Sequence, residues 1–410
     1  MLTKKDRREL LYCLIREHEH VRVDSLAKHF NVTRETIRSD LTFLEKEELI
    51  VRFHGGARLA AIAAKDKGID AEKRNISALF RTIKTEQDGA MNINKTNVNR
   101  GKVCILGSFN VDIVARVDRF PKSGETLIAI ENTLGPGGKG CNQAMAAFYA
   151  DARVHFVAKV GTDQFSQFAR NHFKSSGMDS YTLYQTAEYP TGSAVIYVSE
   201  QDGENMIAIA PGANQAITKE EIYELLPELE SATVSLMQLE NNLDAVFSMI
   251  ELAHSLHKTV IVNPAPFSPE IIPYLNKIDI LTPNETEASQ LSGIEVTDID
   301  SAKRAAEIIM AMGGKTVLIT LGSQGVLIAN NGSYTHLAAF PCVVVDTTGA
   351  GDSFNGALAA SLANGKDLLS AAYYAAAFAS LAVEREGAAN MPSHQATLQR
   401  LSHYQSSLVY

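Results

Sequence analysis

The chain reads as an α/β protein: a mostly parallel sheet sandwiched by helices, with a small β lid, preceded by a small helical head. Three observations predict this. From Gly101 onward, short apolar strands alternate with helical stretches, the pattern of a parallel sheet covered on both faces. Two segments, Glu125 to Leu134 and Gly192 to Ile209, alternate in hydrophobicity with no long helix, and are expected to form a small antiparallel sheet beside the main one. Residues 1–58 instead carry helical periodicity ending in one short strand and a glycine turn. With 410 residues, 45% hydrophobic and 21% charged, the chain exceeds one ordinary core, and the division expected is residues 1–59, a linker 60–100, and a main domain 101–410.

In the head, Leu10, Leu11, Leu14 and Ile15 fall at helical spacing within residues 4–17. Asp24 suits the N-cap of a second helix bearing Leu26, Ala27 and Phe30. After a turn at Asn31-Val32, Thr33 caps a third helix from Arg34 to Glu47, with Ile37, Leu41 and Leu44 inward. Leu49 to Phe53 alternates like a strand and meets the turn His54-Gly55-Gly56-Ala57. Residues 60–100 run from Ala-rich to charged to Asn-rich, a connector with one expected helix between Ala71 and Lys84.

Charge divides unevenly. Residues 1–100 hold 20 Lys/Arg against 15 Asp/Glu, and the remainder 18 against 32, so a mildly basic head precedes an acidic body. The acidic body argues against nonspecific coating of nucleic acid. The four cysteines, Cys13, Cys104, Cys141 and Cys342, are far apart, without zinc spacing, and read as buried small residues in a reducing compartment. The charged N-terminal stretch lacks a following apolar run, and Ala371 to Val383 is too short to span a bilayer, so the expected location is cytoplasmic, without membrane contact.

In the body, the expected strands are Val103–Leu106, Val154–Val157, Val234–Leu239, Val260–Val262, Ile278–Leu281 and Val317–Thr320. Two glycine runs among them are decoys. Gly135-Pro136-Gly137-Gly138-Lys139-Gly140 matches G-x-G-x-x-G but does not follow the first strand. Gly313-Gly314-Lys315-Thr316 ends like a phosphate-binding loop, but Ile309 stands at its first glycine position, so it reads as a helix end followed by a strand. A third run differs: Asp346-Thr347-Thr348-Gly349-Ala350-Gly351-Asp352 ends a strand and opens a helix, where N–H groups and the helix dipole favour an anion. Asp352 would then stand beside a phosphoryl group as proton acceptor; alone, the run is equally a glycine turn with an N-capping Asp.

It does not stand alone. The segments GSFNVD, GGKGCNQA, MQLE, NPAP, TPNETEA, LITLGSQG and DTTGAGDSFNGAL occur in the order and spacing of the ribokinase branch of the PfkB carbohydrate kinase family, and the resemblance spans residues 101 to 400. The segment TRETIRSDLTFLEKEELIVRFHGGA likewise resembles the recognition helix and wing of DeoR-type winged helix-turn-helix domains, over residues 1 to about 58.

The resemblance implies a ribokinase-like fold and ATP-dependent phosphorylation of a sugar, first D-ribose, with magnesium. It assigns Asn110, Asp112, Gly138, Lys139, Asn142 and Glu240 to the sugar, and Asp352 as base beside the N–H groups of Gly349, Ala350 and Gly351. It assigns Asn284, Thr320, Leu321, Gly322, Ser323, Gln324, Gly325 and Gly351 to ATP, with Asn284 and Glu287 ordering the magnesium hydration shell. A potassium site would use Asp346, Thr348, Ala382, Arg385 and Gly387; the chain departs from the pattern at Met391, where the family often has serine and where a thioether is a poor potassium ligand. In the head, Arg34, Glu35, Thr36, Arg38 and Ser39 would meet DNA bases, and Arg52, His54 and Arg58 phosphates. Homodimer formation through the lid is expected from the same resemblance. Two other readings stay open here: a sugar-responsive regulator that keeps the kinase fold as a sensor, and a kinase for deoxyribose, another sugar or a nucleoside.

Overall fold

The structure, a computed structural model, describes residues 100–409 except 179, 202 and 203, and, nearer the N-terminus, residues 8, 11, 15, 21–23, 26, 27, 32–46, 50–53 and 56–59. The chain divides into two compact units, Met1–Lys95 with Leu398–Tyr410, and Thr96–Thr397. The expected linker helix, the Asn-rich run, Cys13 and His54 lie outside the described residues.

In the head, the Arg34–Lys46 helix starts where Thr33 Oγ1 accepts the Thr36 N–H at 3.2 Å, and Glu35 and Lys46 sit at the ends their charges favour. Ile37, Leu41 and Leu44 are buried together with Leu11, Ile15, Val23, Leu26, Ala27, Ile50 and Ala57. Asp40 is fully buried on the same helix, and Arg8 Nε reaches it at 2.9 Å. Three strands, β1 (Val21–Arg22), β2 (Ile50–Phe53) and β3 (Gly56–Leu59), form a sheet in the order β1-β3-β2. β2 and β3 pair antiparallel with Phe53 opposite Gly56, which shortens the expected turn at its C-terminal side. The pair makes a hairpin of the kind expected for a wing.

In the body, the lid strands β5 (Asn110–Val117), β6 (Glu131–Gly137), β9 (Gly192–Ser199) and β10 (Asn205–Ala210) stand apart from a nine-stranded sheet. That sheet comprises β4 (Lys102–Leu106), β7 (Arg153–Val160), β8 (Tyr181–Gln185), β11 (Val234–Met237), β12 (Thr259–Val262), β13 (Ile280–Leu281), β14 (Thr316–Thr320), β15 (Val326–Asn330) and β16 (Ser333–Leu337). Its order is β16-β15-β14-β13-β12-β11-β4-β7-β8, parallel from β14 to β8 and antiparallel at the β14-β15-β16 edge. Val103, Ile105, Val260, Ile261, Val262, Val317 and Ile319 are fully buried, as a sheet covered on both faces requires.

The six body strands from β4 to β14 are present as expected, and β8, β15 and β16 join them, but the strand expected to end at the Asp346 run is absent: residues 338–349 carry no strand. The lid departs from expectation in two ways. The segment expected at Glu125–Leu134 forms a strand only from Glu131, and continues into the glycine run as far as Gly137. Its sheet, β10-β9-β5-β6, is mixed rather than antiparallel, because β5 leaves the end of β4 after three residues and pairs parallel with β9. Gly313, at φ 117, separates the Ile299–Ala311 helix from β14, a helix end followed by a strand. Cys104 and Cys141 are buried, whereas Cys342 is half-exposed, against the expectation that all four are buried. Among the described residues no helix is long and apolar enough to cross a membrane.

Two helices carry the residues that matter most below, Lys139–Tyr149 and Ala350–Ala363. They pack closely because Gly356 has no side chain: a Cβ there would meet the Gln143 carbonyl oxygen at 2.3 Å.

Candidate functional site

Loops following β12, β13 and β14 converge with the N-termini of helices on one cavity of about 150 Å³. Lys139, Asn263, Thr282, Asn284, Glu287, Thr320, Thr347 and the run Gly349–Asp352 line it. Ligands of open α/β sheets gather at this end of the strands.

Asp352 lies in the first turn of the Ala350–Ala363 helix and is 5% exposed. Its Oδ2 accepts from Asn142 Nδ2 at 3.1 Å and its Oδ1 from Gln143 Nε2 at 3.0 Å. Gly349 caps the helix at φ 75. The Ala350 N–H is already given to the Thr347 carbonyl at 3.1 Å, so of the run expected to hold an anion, Ala350 is committed within the turn. The N–H groups of Gly351 and Asp352 belong to the first turn, which has no preceding helical carbonyls to accept them.

Of the residues expected at a sugar, Lys139 and Asp352 line the cavity directly. The Lys139 N–H and the Ser108 hydroxyl both donate to Glu240 Oε2, at 3.0 and 2.5 Å. Nearby Asp352, then Glu240 and Glu287, raise the Lys139 pKa and keep it charged. Asp112 sits over Gly137, where a Cβ would meet its Oδ2 at 2.1 Å, so only glycine leaves room for the carboxylate. Burial, reinforced by Glu240 and Asp352, pushes the Asp112 pKa up to about 7. Asn110 is buried, with Oδ1 accepting from Asn214 Nδ2 at 2.9 Å; Asn214 also bonds the Phe109 N–H and carbonyl, each at 3.0 Å. Gly138, at φ 90, caps the Lys139–Tyr149 helix that brings Asn142 to Asp352.

Also lining the cavity, Asn284 and Glu287 cap the Glu285–Ser292 helix reciprocally: Asn284 N–H to Glu287 Oε2 at 2.9 Å, Glu287 N–H to Asn284 Oδ1 at 2.8 Å. Burial raises the Glu287 pKa, partly offset by the Asn284 N–H and by Lys139. A buried carboxylate with one oxygen held by a backbone N–H suits a hydrated cation. Thr320 lines the cavity and donates its N–H to the Pro283 carbonyl at 3.0 Å. The following turn, Gly322–Gln324, is exposed at Gly322, Ser323 and Gln324. Leu321, by contrast, belongs to the hydrophobic core, and its N–H donates to the Gly325 carbonyl at 2.8 Å.

The residues expected around a monovalent cation also come together. Asp346 accepts from the Thr348 N–H at 2.8 Å and the Gly387 N–H at 3.0 Å. The Ala382 carbonyl accepts the Arg385 N–H at 3.0 Å, and Arg385 Nη1 donates to the Met391 carbonyl at 2.8 Å. Met391 is buried, and its sulfur accepts the Ser353 hydroxyl at 3.3 Å.

Sequence reasoning missed Gln143, Asn263, Thr282 and Asn355, which link the site from below, and Asn214, which fixes the start of β5. Gln143, Asn263, Thr282 and Asn355 do lie within the GGKGCNQA, NPAP, TPNETEA and DTTGAGDSFNGAL segments, the one signal that pointed to them.

In the head, Arg34, Glu35, Arg38 and Ser39 are exposed on one helix, with Arg38 Nη1 3.4 Å from Glu35 Oε1. Thr36 is half-buried, its hydroxyl 2.9 Å from that of Thr33. On the wing, Arg52 Nη1 donates to Thr42 Oγ1 at 2.6 Å. The side chain of Arg58 lies outside the described residues.

Residues 100–395 match the model of the pfkB family carbohydrate kinases, and residues 7–62 that of the DeoR-like helix-turn-helix domain. A ribokinase of Staphylococcus aureus is 40% identical over 290 residues, 70% of this chain and 95% of its own length. A deoxyribokinase of Salmonella typhi is 33% identical over 286 residues, 70% of this chain and 93% of its own. The structure of Arabidopsis thaliana ribokinase complexed with ribose and ATP superposes with a TM-score of 0.68 at 31% identity, covering 74% of this chain and 99% of that one. The chain therefore belongs to the PfkB carbohydrate kinase family, a sugar kinase of ribokinase-like fold joined to a DeoR-like helix-turn-helix domain.

Proposed function

We propose that this kinase transfers the γ-phosphoryl group of ATP to the 5-hydroxyl of D-ribose, and that its head binds DNA. The observation that carries the first part is the Asp352 carboxylate, buried at a helix N-terminus and held on both oxygens between a polar sugar-side wall and a cation-suited wall. Asp352 takes the hydroxyl proton as oxygen attacks phosphorus, and the N–H groups at the helix start stabilise the transferring phosphoryl group. Asn142 Oδ1 is buried without a partner among the described residues, which supports a sugar hydroxyl as its donor. Asp112 and Glu240 supply acceptors, and Lys139 and Asn110 donors, the mixture a polyol requires.

Asn284 and Glu287 would hold a magnesium ion through water, and the ion would supply positive charge against the phosphate oxygens. For a potassium ion, Asp346 and the carbonyls of Thr348, Ala382, Arg385 and Gly387 fit in kind, while Met391 offers sulfur hydrogen-bonded to Ser353 in place of an oxygen. Incubating the chain with ATP, magnesium and ribose and reading the product by phosphorus and carbon NMR tests the assignment. Ribose 5-phosphate and ADP in equal amounts are expected; ATP hydrolysis without sugar phosphate would overturn it.

The exposed Arg34, Glu35, Arg38 and Ser39 support base contacts in a major groove. The lid exposes Leu134, Val195, Tyr197, Ile207 and Ile209, which supports pairing of two copies through it and a two-fold operator. Selection of bound genomic fragments should return an inverted repeat with salt-dependent affinity. Recovery of no sequence would reduce the head to an interaction module.

A further inference from the structure

We propose that Gln143 is a positioning residue for phosphoryl transfer, its side-chain amide fixing the orientation of the Asp352 carboxylate. The inference rests on reading Asp352 as the base. Gln143 is fully buried, and its Nε2 donates to Asp352 Oδ1 at 3.0 Å and to Asn263 Oδ1 at 3.2 Å. Its Oε1 accepts from Gln238 Nε2 at 2.6 Å, so the amide is oriented from outside the site. Turning it over would set oxygen against the carboxylate and N–H against N–H.

The connection continues beyond Gln143. Asn263 Nδ2 donates to the Thr282 carbonyl at 2.9 Å, Thr282 Oγ1 to Asn355 Oδ1 at 2.5 Å, and Asn355 Nδ2 to the Gly351 carbonyl at 2.8 Å. The path therefore leaves Asp352 and returns to its chain neighbour, tying base and glycine run into one ring of buried amides. Buried bonds of this kind polarise and strengthen one another along the path, although Gln238 Oε1 at its outer end is buried without a partner among the described residues. Both N–H bonds of the Gln143 amide are committed, so none remains for substrate. Asn142, one residue earlier, holds Oδ2 of the same carboxylate but keeps its own oxygen unpartnered among the described residues. Gln143 thus acts through Asp352, while Asn142 is available to the sugar as well. With one donor removed, the carboxylate is anchored at a single oxygen and turns about that bond, and small misplacements of a reacting group cost up to about 10²-fold in rate.

The test uses the full chain with ribose and ATP. Gln143→Met and Gln143→Glu keep the size of the side chain, and each should lower kcat about 10- to 100-fold while the ribose Kd, measured by calorimetry, stays within about threefold. Gln238→Met, which removes only the group orienting Gln143, should lower kcat by less with Kd again unmoved. A purely packing role would shift ribose Kd together with kcat, since Asn142 on the same turn would be displaced. A kcat within about twofold of the parent in Gln143→Met, or a Kd that moves as far as kcat, overturns the proposal. If neither Gln143 variant folds, Gln238→Met decides on the same two readouts. Asp352→Asn separates the layers: retained turnover there removes the base itself, whereas lost turnover there with retained turnover in Gln143→Met removes only the positioning role.

Discussion

In the kinase body Asp352 is 5% exposed and Gln143 not at all, and each is held by partners from other elements; in the head Arg34, Glu35, Arg38 and Ser39 all project from one helix into solvent. The body must exclude water and fix a reacting geometry, so its functional groups are interdependent. Under the proposed DNA binding the head meets an extended surface, and its exposed groups, Arg38 paired with Glu35 at 3.4 Å among them, stand on a packed scaffold of Ile37, Leu41 and Leu44. Substitutions in the first region should therefore couple, and those in the second should add.

The sharpest way to break this contrast is Asp352→Asn. Loss of a general base is typically worth about 10²–10⁴-fold, so kcat should fall by that range with ribose affinity kept. Near-parental kcat at saturating substrates would remove Asp352 from the chemistry.

Next in size is a pH effect centred on Asp112. Its pKa is raised to about 7, first by burial and then by Glu240 and Asp352. As a sugar acceptor it must be ionised, so ribose affinity should fall by up to about tenfold per pH unit below that value. The sign for stability is opposite: folding favours the protonated acid, so Asp112 contributes stability at low pH that is lost as pH rises through about 7. Asp112→Asn should flatten both profiles, and an unchanged pH dependence of ribose binding in that variant would count against the assignment.

In the head, Arg38→Ala should weaken specific DNA binding roughly tenfold and leave kinase turnover within about 20%. Combined with Arg52→Ala on the wing, whose partners are Thr42 and Glu45, the losses should add on a free-energy scale. Strong non-additivity, or a fall in turnover, would show that the two regions are not built on different plans.

The smallest effect concerns the cation. Met391 contributes sulfur where an oxygen would serve potassium better, so replacing sodium by potassium should raise kcat only a few-fold, and Met391→Ser should enlarge the difference. Equal rates in potassium, sodium and a bulky organic cation, in both proteins, would leave Asp346 and Gly387 a purely structural pair.

The parts of the site legible in the sequence were those written in one stretch. Gly349 to Asp352 reads as an anion turn because its four residues are consecutive, whereas Asn284 and Glu287 were reached only through the resemblance of TPNETEA, and their reciprocal capping box emerges in the structure. The ring through Gln143, Gln238, Asn263, Thr282 and Asn355 has no local spacing; only the sheet order and the close approach at Gly356 bring those residues together. In the fold, buried parallel strands such as β12 stood out as apolar runs, while β5 was hidden because it follows β4 after only three residues. The β15-β16 hairpin carried a usable signal that went unread: Asn331-Gly332, both at positive φ, between Asn330 and its partner Ser333. Leu321 went the other way, since a motif position says nothing of whether a side chain faces ligand or core.

The activity proposed for this site is phosphorylation of ribose from ATP. A mixture of equimolar D-ribose, 2-deoxy-D-ribose, a hexose and a nucleoside, supplied with limiting ATP and magnesium, reports kcat/KM ratios directly in the product distribution. Ribose 5-phosphate should dominate, with deoxyribose 5-phosphate second. A majority of phosphorylated hexose or nucleoside, or ATP left unconsumed, would contradict the account.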